Sequence, residues 1–179
     1  MTIVPDAKNW TWVLERPCPE CAFDASRVEP GRVGATIRSM NAAWGAVLGR
    51  PDVRDRPSPS VWSPLEYGCH VRDVYRVFDG RLSLMLAEDH PKFANWDQDA
   101  TALDDGYAEQ DPSTVANDLV RAADTLAARF DGVADNQWQR TSERSDGSVF
   151  TVDSFARYLL HDPIHHLRDV AEPFEPDLT

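Results

Sequence analysis

His161 and His165 stand four residues apart in the run Tyr158-Leu-Leu-His161-Asp-Pro-Ile-His165-His166-Leu-Arg-Asp169. On a helix that spacing stacks two imidazoles one turn apart on one face, where they can grip one metal ion. A third ligand must come from elsewhere, and five histidines in the chain limit the choice. His70 is the best candidate, because it lies inside a helical pattern, whereas His90 falls in the loop-like Glu88-Asp-His-Pro91. His166 sits about 140° around an ideal helix from His161 and is left out of the expected triad. Three neutral imidazoles favour zinc, nickel or iron(II), with at least one coordination position open for water or a thiolate. Such an ion lowers the pKa of that water or thiol and supplies a nucleophile near neutral pH.

A second feature is Cys18-Pro-Glu-Cys21. A Cys-x-x-Cys pair fits half of a zinc site or a redox couple, but the other half does not follow nearby; metal, redox and plain packing stay open. Cys69 has the local pattern of a buried thiol. Asp73 and Glu66 are three and four residues from His70, within reach of its second ring nitrogen on a helix. Arg140 and Arg144 are candidates for holding a carboxylate of a substrate or thiol cofactor, against the plainer reading of solvated loop charges. Tyr158 shares the strip of His161 and His165.

Four helices are needed to position these groups. Val33, Ile37, Met40, Trp44 and Val47 recur at helical spacing across residues 30–48, before Gly49-Arg-Pro51. Ser63-Pro64-Leu-Glu66 is a capping signature for a second helix reaching about Ala87, with Tyr67, Val71, Val74, Phe78, Leu82 and Met85 on its apolar stripe. A third helix spans about Ser113 to Phe130, and a fourth follows Thr151 or Ser154, with Pro163 predicted to kink it. Residues 89–112 lack a usable period, and 136–150 read as a small hairpin or loop. The expected architecture is an all-α four-helix bundle over 29–172, preceded by an irregular segment 1–28 and followed by an acidic tail 173–179.

With His70 on the second helix and His161-x-x-x-His165 on the fourth, the chain resembles the DinB superfamily of four-helix proteins. Trp62-Ser-Pro-Leu-Glu-Tyr-Gly-Cys-His70 and the stretch from His161 to Val170 carry the likeness, which extends over about 31–170. The resemblance implies a metal triad of His70, His161 and His165. It also implies thiol-linked transfer or isomerisation, or metal-assisted hydrolysis. The related mycothiol-dependent maleylpyruvate isomerases look similar but carry Glu where this chain has His161. Cys18, Cys21 and Pro163 are outside the general pattern.

Composition narrows the partners. The net charge of −12 repels phosphate backbones and anionic lipid, so nucleic acid is not expected. No apolar run reaches the roughly 18–20 residues of a membrane helix, and the N-terminus has no signal-peptide pattern. Three cysteines cannot all pair within one chain, and the protein is read as cytoplasmic. The resulting expectation is a metal-dependent thiol transferase or hydrolase acting on a small molecule, using a divalent ion and in one version a low-molecular-weight thiol. The alternatives are a metal-binding sensing module without turnover, or a Cys18/Cys21 redox or zinc-linked interaction protein. A homodimer through a helix face is a further expectation.

Overall fold

The computed structural model describes residues 9–170; the expected acidic tail at 173–179 lies outside them. Helices dominate. α1 (Val33–Ser39) and α2 (Asn41–Leu48) form one interrupted rod, followed by α3 (Pro64–Ala87), the short α4 (Gln98–Asp104), α5 (Pro112–Asp131) and α6 (Val152–Val170). The first rod is not the single helix that the periodicity predicts. Near its break, Thr36 Oγ1 bonds the carbonyl of Arg32 and Ser39 Oγ that of Thr36, so side-chain hydroxyls compete for backbone acceptors.

α3 starts as its sequence predicts. The Ser63 side chain accepts from the Glu66 N–H, the Glu66 carboxylate accepts from the Ser63 N–H, and Pro64 occupies the first turn. Arg140 stops the other end by donating to the carbonyls of Met85 and Glu88. That role at the last turn of α3, and not substrate binding, is what occupies this arginine. α5 is capped by Asp111, which accepts from Thr114 N–H. At α6 the two expected caps act reciprocally: Thr151 N–H donates to Ser154 Oγ and Ser154 N–H to Thr151 Oγ1, at 2.9 and 3.0 Å.

α5 lies against α1, α2 and α3, while α6 packs on α3 and the first rod. Trp44, Tyr75, Phe155, Leu82, Leu119 and Leu126 are among the large side chains fully buried between them. Gly34 permits a close approach of α1 to α5: a Cβ there would lie 2.8 Å from the Ala127 carbonyl oxygen. α6 continues through Pro163 as one helix, so the four-residue spacing of its histidines is retained.

The all-α expectation holds approximately, and the stretch 136–150, read as a small hairpin or loop, is a hairpin that belongs to a three-stranded sheet. β2 (Thr141–Arg144) and β3 (Val149–Thr151) form an antiparallel hairpin, and β1 (Lys92–Phe93) adds to β2 in parallel register, Lys92 opposite Glu143. These strands are two to four residues long, too short for alternation to show in the sequence. In the N-terminal segment, the described residues from Asn9 onward are tied to the helices. Its 3-10 turns, Trp10–Leu14 and Ala25–Arg27, pack on α6, and Cys18, Phe23, Ala25 and Val28 join the core. No helix among the described residues is long and apolar enough to cross a membrane.

Candidate metal centre

An α-helix turns 100° per residue, so positions 161/165 and 162/166 form two neighbouring strips on α6. The fold uses both. His161 and His165 face Cys18 and Cys21, whereas Asp162 and His166 face His70; within each group the donor atoms lie within 4.8 Å of one another. The expected set of His70, His161 and His165 is therefore divided between two places. The reason is rotational: α3 presents His70 to the strip one residue further around α6. His166, excluded by its angle to His161, belongs with Asp162, the residue four before it.

His70 is fully buried at mid-helix on α3. Its Nε2 lies 3.3 Å from Asp162 Oδ1 and 3.4 Å from Oδ2. Asp162 Oδ1 is buried without a hydrogen bond, and His166 Nε2 lies 3.9 Å from it. His166 Nδ1 contacts Asp169 Oδ2 at 3.0 Å, which assigns the ring proton to Nδ1 and turns the Nε2 lone pair toward Asp162. Trp96 stacks on the His70 ring, 5.5 Å between centroids and 3° between planes, while Trp62 covers it at 5.3 Å. Burial pushes the Asp162 carboxyl up, but the neighbouring His70 and His166 rings outweigh it and hold the group well below the usual carboxylate range. Two imidazoles and an ionised carboxylate converging in this way fit a divalent cation, with positions left for exogenous ligands.

The carboxylate that meets His70 is thus Asp162 and not Asp73 or Glu66. Asp73 receives hydrogen bonds from Arg72, at 3.0 and 2.7 Å, from Arg76 at 3.0 Å and from the Tyr107 hydroxyl at 2.7 Å. It ties α3 to the turn at Tyr107. Glu66 is committed to Arg56 and the α3 cap.

On the neighbouring strip, Cys18 Sγ lies 3.7 Å from His165 Nδ1, and His161 Nε2 is buried without a hydrogen-bond partner. Burial, with His165 beside it, pushes His161 down to about 4, and burial also lowers His165. Both rings are neutral at neutral pH, the form that ligates metals. Burial raises the Cys21 thiol to about 12, with the Cys18 thiol contributing. Cys69 is fully buried against the Tyr107 carbonyl and pushed up to about 12 by burial, so it is no nucleophile. His90 stays apart, bonded through Nδ1 to Thr141 Oγ1 at 2.7 Å.

A cavity of about 370 Å³ opens beside these groups, walled by Asp162, His166, Tyr158, Trp96, Arg144 and Arg81. Arg144, placed by β2, donates to Asp146 at 2.7 Å and to the Tyr158 hydroxyl at 3.2 Å. Arg81, a residue the sequence reading missed, donates to the Ala94 carbonyl and lies over Phe93, but has no ion pair among the described residues. Burial and the charge of Arg144 push it down to about 10, leaving it cationic at neutral pH. An arginine on an otherwise apolar stripe of α3, four residues before Met85, was the available signal.

The sequence matches the family model of the DinB superfamily over residues 35–170. The chain belongs to that superfamily. Among solved structures it is similar to YfiT from Bacillus subtilis, described as a probable metal-dependent hydrolase with an unusual four-helix bundle topology. The TM-score is 0.62 at 17% identity, covering 94% of this chain and 91% of that one, a likeness of fold. No curated protein matches the sequence.

Proposed function

We propose that this protein is a metal-dependent enzyme of four-helix bundle type that directs an external nucleophile, water or a low-molecular-weight thiol, at a small carboxylate-bearing substrate. The observation that carries this reading is the convergence of His70, Asp162 and His166 at a cavity whose wall also holds the buried guanidiniums of Arg81 and Arg144. When bound there, a divalent cation supplies a Lewis acid that brings the pKa of coordinated water or thiol toward neutrality. His70, Asp162 and His166 would hold the ion, and Asp169 fixes the tautomer of His166. Arg81 is the natural partner for a substrate carboxylate, since none among the described residues neutralises it. Trp62 and Trp96 shield the His70 side of the site from water.

No thiol of the chain is available as nucleophile here: Cys69 is sealed in the core and the other two cysteines belong to the neighbouring group. One feature favours the thiol version. The isomerases that the sequence resembles pair an acidic ligand with a histidine, and Asp162-x-x-x-His166 offers such a pair one residue beyond His161.

The test is reconstitution with zinc, nickel or iron(II) and screening of carboxylate-bearing esters, amides and electrophiles, each with and without added thiol. Turnover is expected to need metal and to be lost in His70→Ala, Asp162→Asn and His166→Ala. Activity that survives Asp162→Asn and His166→Ala but is lost in His161→Ala would refute the assignment and restore the triad of His70, His161 and His165. Loss without thiol, and recovery with it, separates transferase from hydrolase.

A further inference from the structure

Two ligand-rich groups sit side by side on α6, and the reaction proposed above uses one. The second contains two cysteines from one turn near the N-terminus and two histidines from the far end of the chain; Cys18 and His165 are 147 residues apart in sequence. We propose that Cys18, Cys21, His161 and His165 form a second metal site, a closed zinc-type centre that clips the N-terminal segment onto α6 beside the reaction site.

Donor chemistry supports this first. Two thiolates and two imidazoles are a complete tetrahedral set for zinc, with no position left over for substrate, which is the pattern of a structural centre. Bond lengths of about 2.3 Å to sulfur and 2.0 Å to nitrogen place such donors about 3.3–3.8 Å apart. The Cys18 Sγ to His165 Nδ1 separation of 3.7 Å already falls in that interval, and all four donors are within 4.8 Å. Small side-chain rotations close the rest.

The surroundings point to the same ligand. His161 Nε2 is a buried ring nitrogen with no hydrogen-bond partner, and such an atom in a core calls for an explanation. Coordination supplies one. His165 presents Nδ1 to Cys18 while its Nε2 lies 3.4 Å from Glu20 Oε2 and 3.9 Å from Asp169 Oδ2, the outer carboxylates that orient a ligating imidazole. Charge also closes: two thiolates and a divalent cation sum to zero, so the centre can be buried without leaving net charge in the core. By contrast, the group of His70, Asp162 and His166 has three protein donors and leaves room for exogenous ligands.

The turn is built to present both sulfurs to α6. Cys18 N–H donates to the Phe23 carbonyl at 2.8 Å, and Ala22 N–H to the Cys18 carbonyl at 2.9 Å. Ala22 has φ +60°, a left-handed conformation that a non-glycine residue adopts at a cost. Trp10, from the same segment, lies 5.2 Å from both the His161 and His165 rings, and Trp10 and Glu20 form part of the cavity wall. A metal at this site therefore holds one wall of the reaction cavity in place, and each thiol releases its proton to solvent on binding.

The experiment is metal stoichiometry and cobalt(II) spectroscopy on the purified chain, reduced and then reconstituted. Two equivalents of metal are expected, and the cobalt form should show thiolate-to-metal charge transfer with the strong visible bands of a tetrahedral centre. Cys18→Ser with Cys21→Ser should drop the content from two to one and abolish those bands. Asp162→Asn with His166→Ala should also drop it to one but keep them, so failure at one site is separable from failure at the other. If the cysteine variant does not fold, the wild-type cobalt spectrum alone decides. The proposal is overturned by absence of thiolate charge transfer under metal-replete, reducing conditions, or by two equivalents persisting without Cys18 and Cys21. It is also overturned by a Cys18–Cys21 disulfide that survives these conditions in place of metal, which would make the pair a redox couple.

Discussion

Replacing Asp73 with Ala separates a structural carboxylate from a histidine-orienting one. Asp73 is largely buried and accepts four hydrogen bonds, from Arg72, Arg76 and Tyr107. Arg72 is buried beside it and also donates to Gln110 Oε1 at 2.6 Å, so removal of the carboxylate leaves a buried guanidinium partly uncompensated. Breaking a buried pair in this way costs about 3–5 kcal/mol. For a domain of this size each kcal/mol is worth about 2–4 °C, so Tm should fall by about 6–20 °C. The pH dependence has a definite sign. Burial raises the Asp73 pKa, but bonds from Arg72 and Tyr107 outweigh it and hold the value below the ordinary one. The stabilisation is therefore present above the unfolded pKa of about 3.9, and is lost as pH falls through the folded value. Thermal and urea unfolding of wild type and variant between pH 3 and 7 would show a gap that is full near neutrality and narrows in acid. Metal content of the folded variant should match wild type. A stability change below about 1 kcal/mol, or a 10- to 100-fold loss of metal affinity with the fold intact, would refute the structural role and return Asp73 to the shell around His70.

Two further outcomes follow from particular contacts. Gly34→Ala places a Cβ 2.8 Å from the Ala127 carbonyl oxygen, so α1 and α5 must separate, with a loss of about 1–3 kcal/mol in urea unfolding; an unchanged midpoint would show that the helices are not held this closely. Arg144→Lys keeps the charge but loses the planar fork that bonds Asp146 and Tyr158, and should raise KM for a carboxylate substrate about tenfold with little change in kcat. A fall in kcat alone would place Arg144 in the chemistry instead.

Much of the architecture was legible in local sequence because its causes are local. The Ser63/Pro64/Glu66 cap of α3 is determined within about one helical turn, and its apolar stripe by the helical period. Histidines at 161 and 165 were recognisable as candidate metal ligands for the same reason: four-residue spacing guarantees a shared face. The five-residue separation of His161 and His166 likewise showed that these two diverge. What spacing does not encode is the rotation of α6 against its neighbours. That angle is decided by packing of Phe155, Leu159, Ile164 and Leu167 into the core, and it sends the 162/166 strip to His70 and the 161/165 strip to the cysteines. The histidines that lie beside the Cys18-Pro-Glu-Cys21 pair were not paired with it because they come from the opposite end of the chain, where only tertiary folding brings them near. Arg81 and the roles of Asp73 and Arg140 were hidden for a related reason, since the partner of a long polar side chain depends on what lies across the interface. The sequence by itself determined helices, caps and the presence of residue types able to ligate a metal, all set by short-range periodicity; only the tertiary structure decided which of those candidate donors lie together, because that depends on helix rotation and long-range contact.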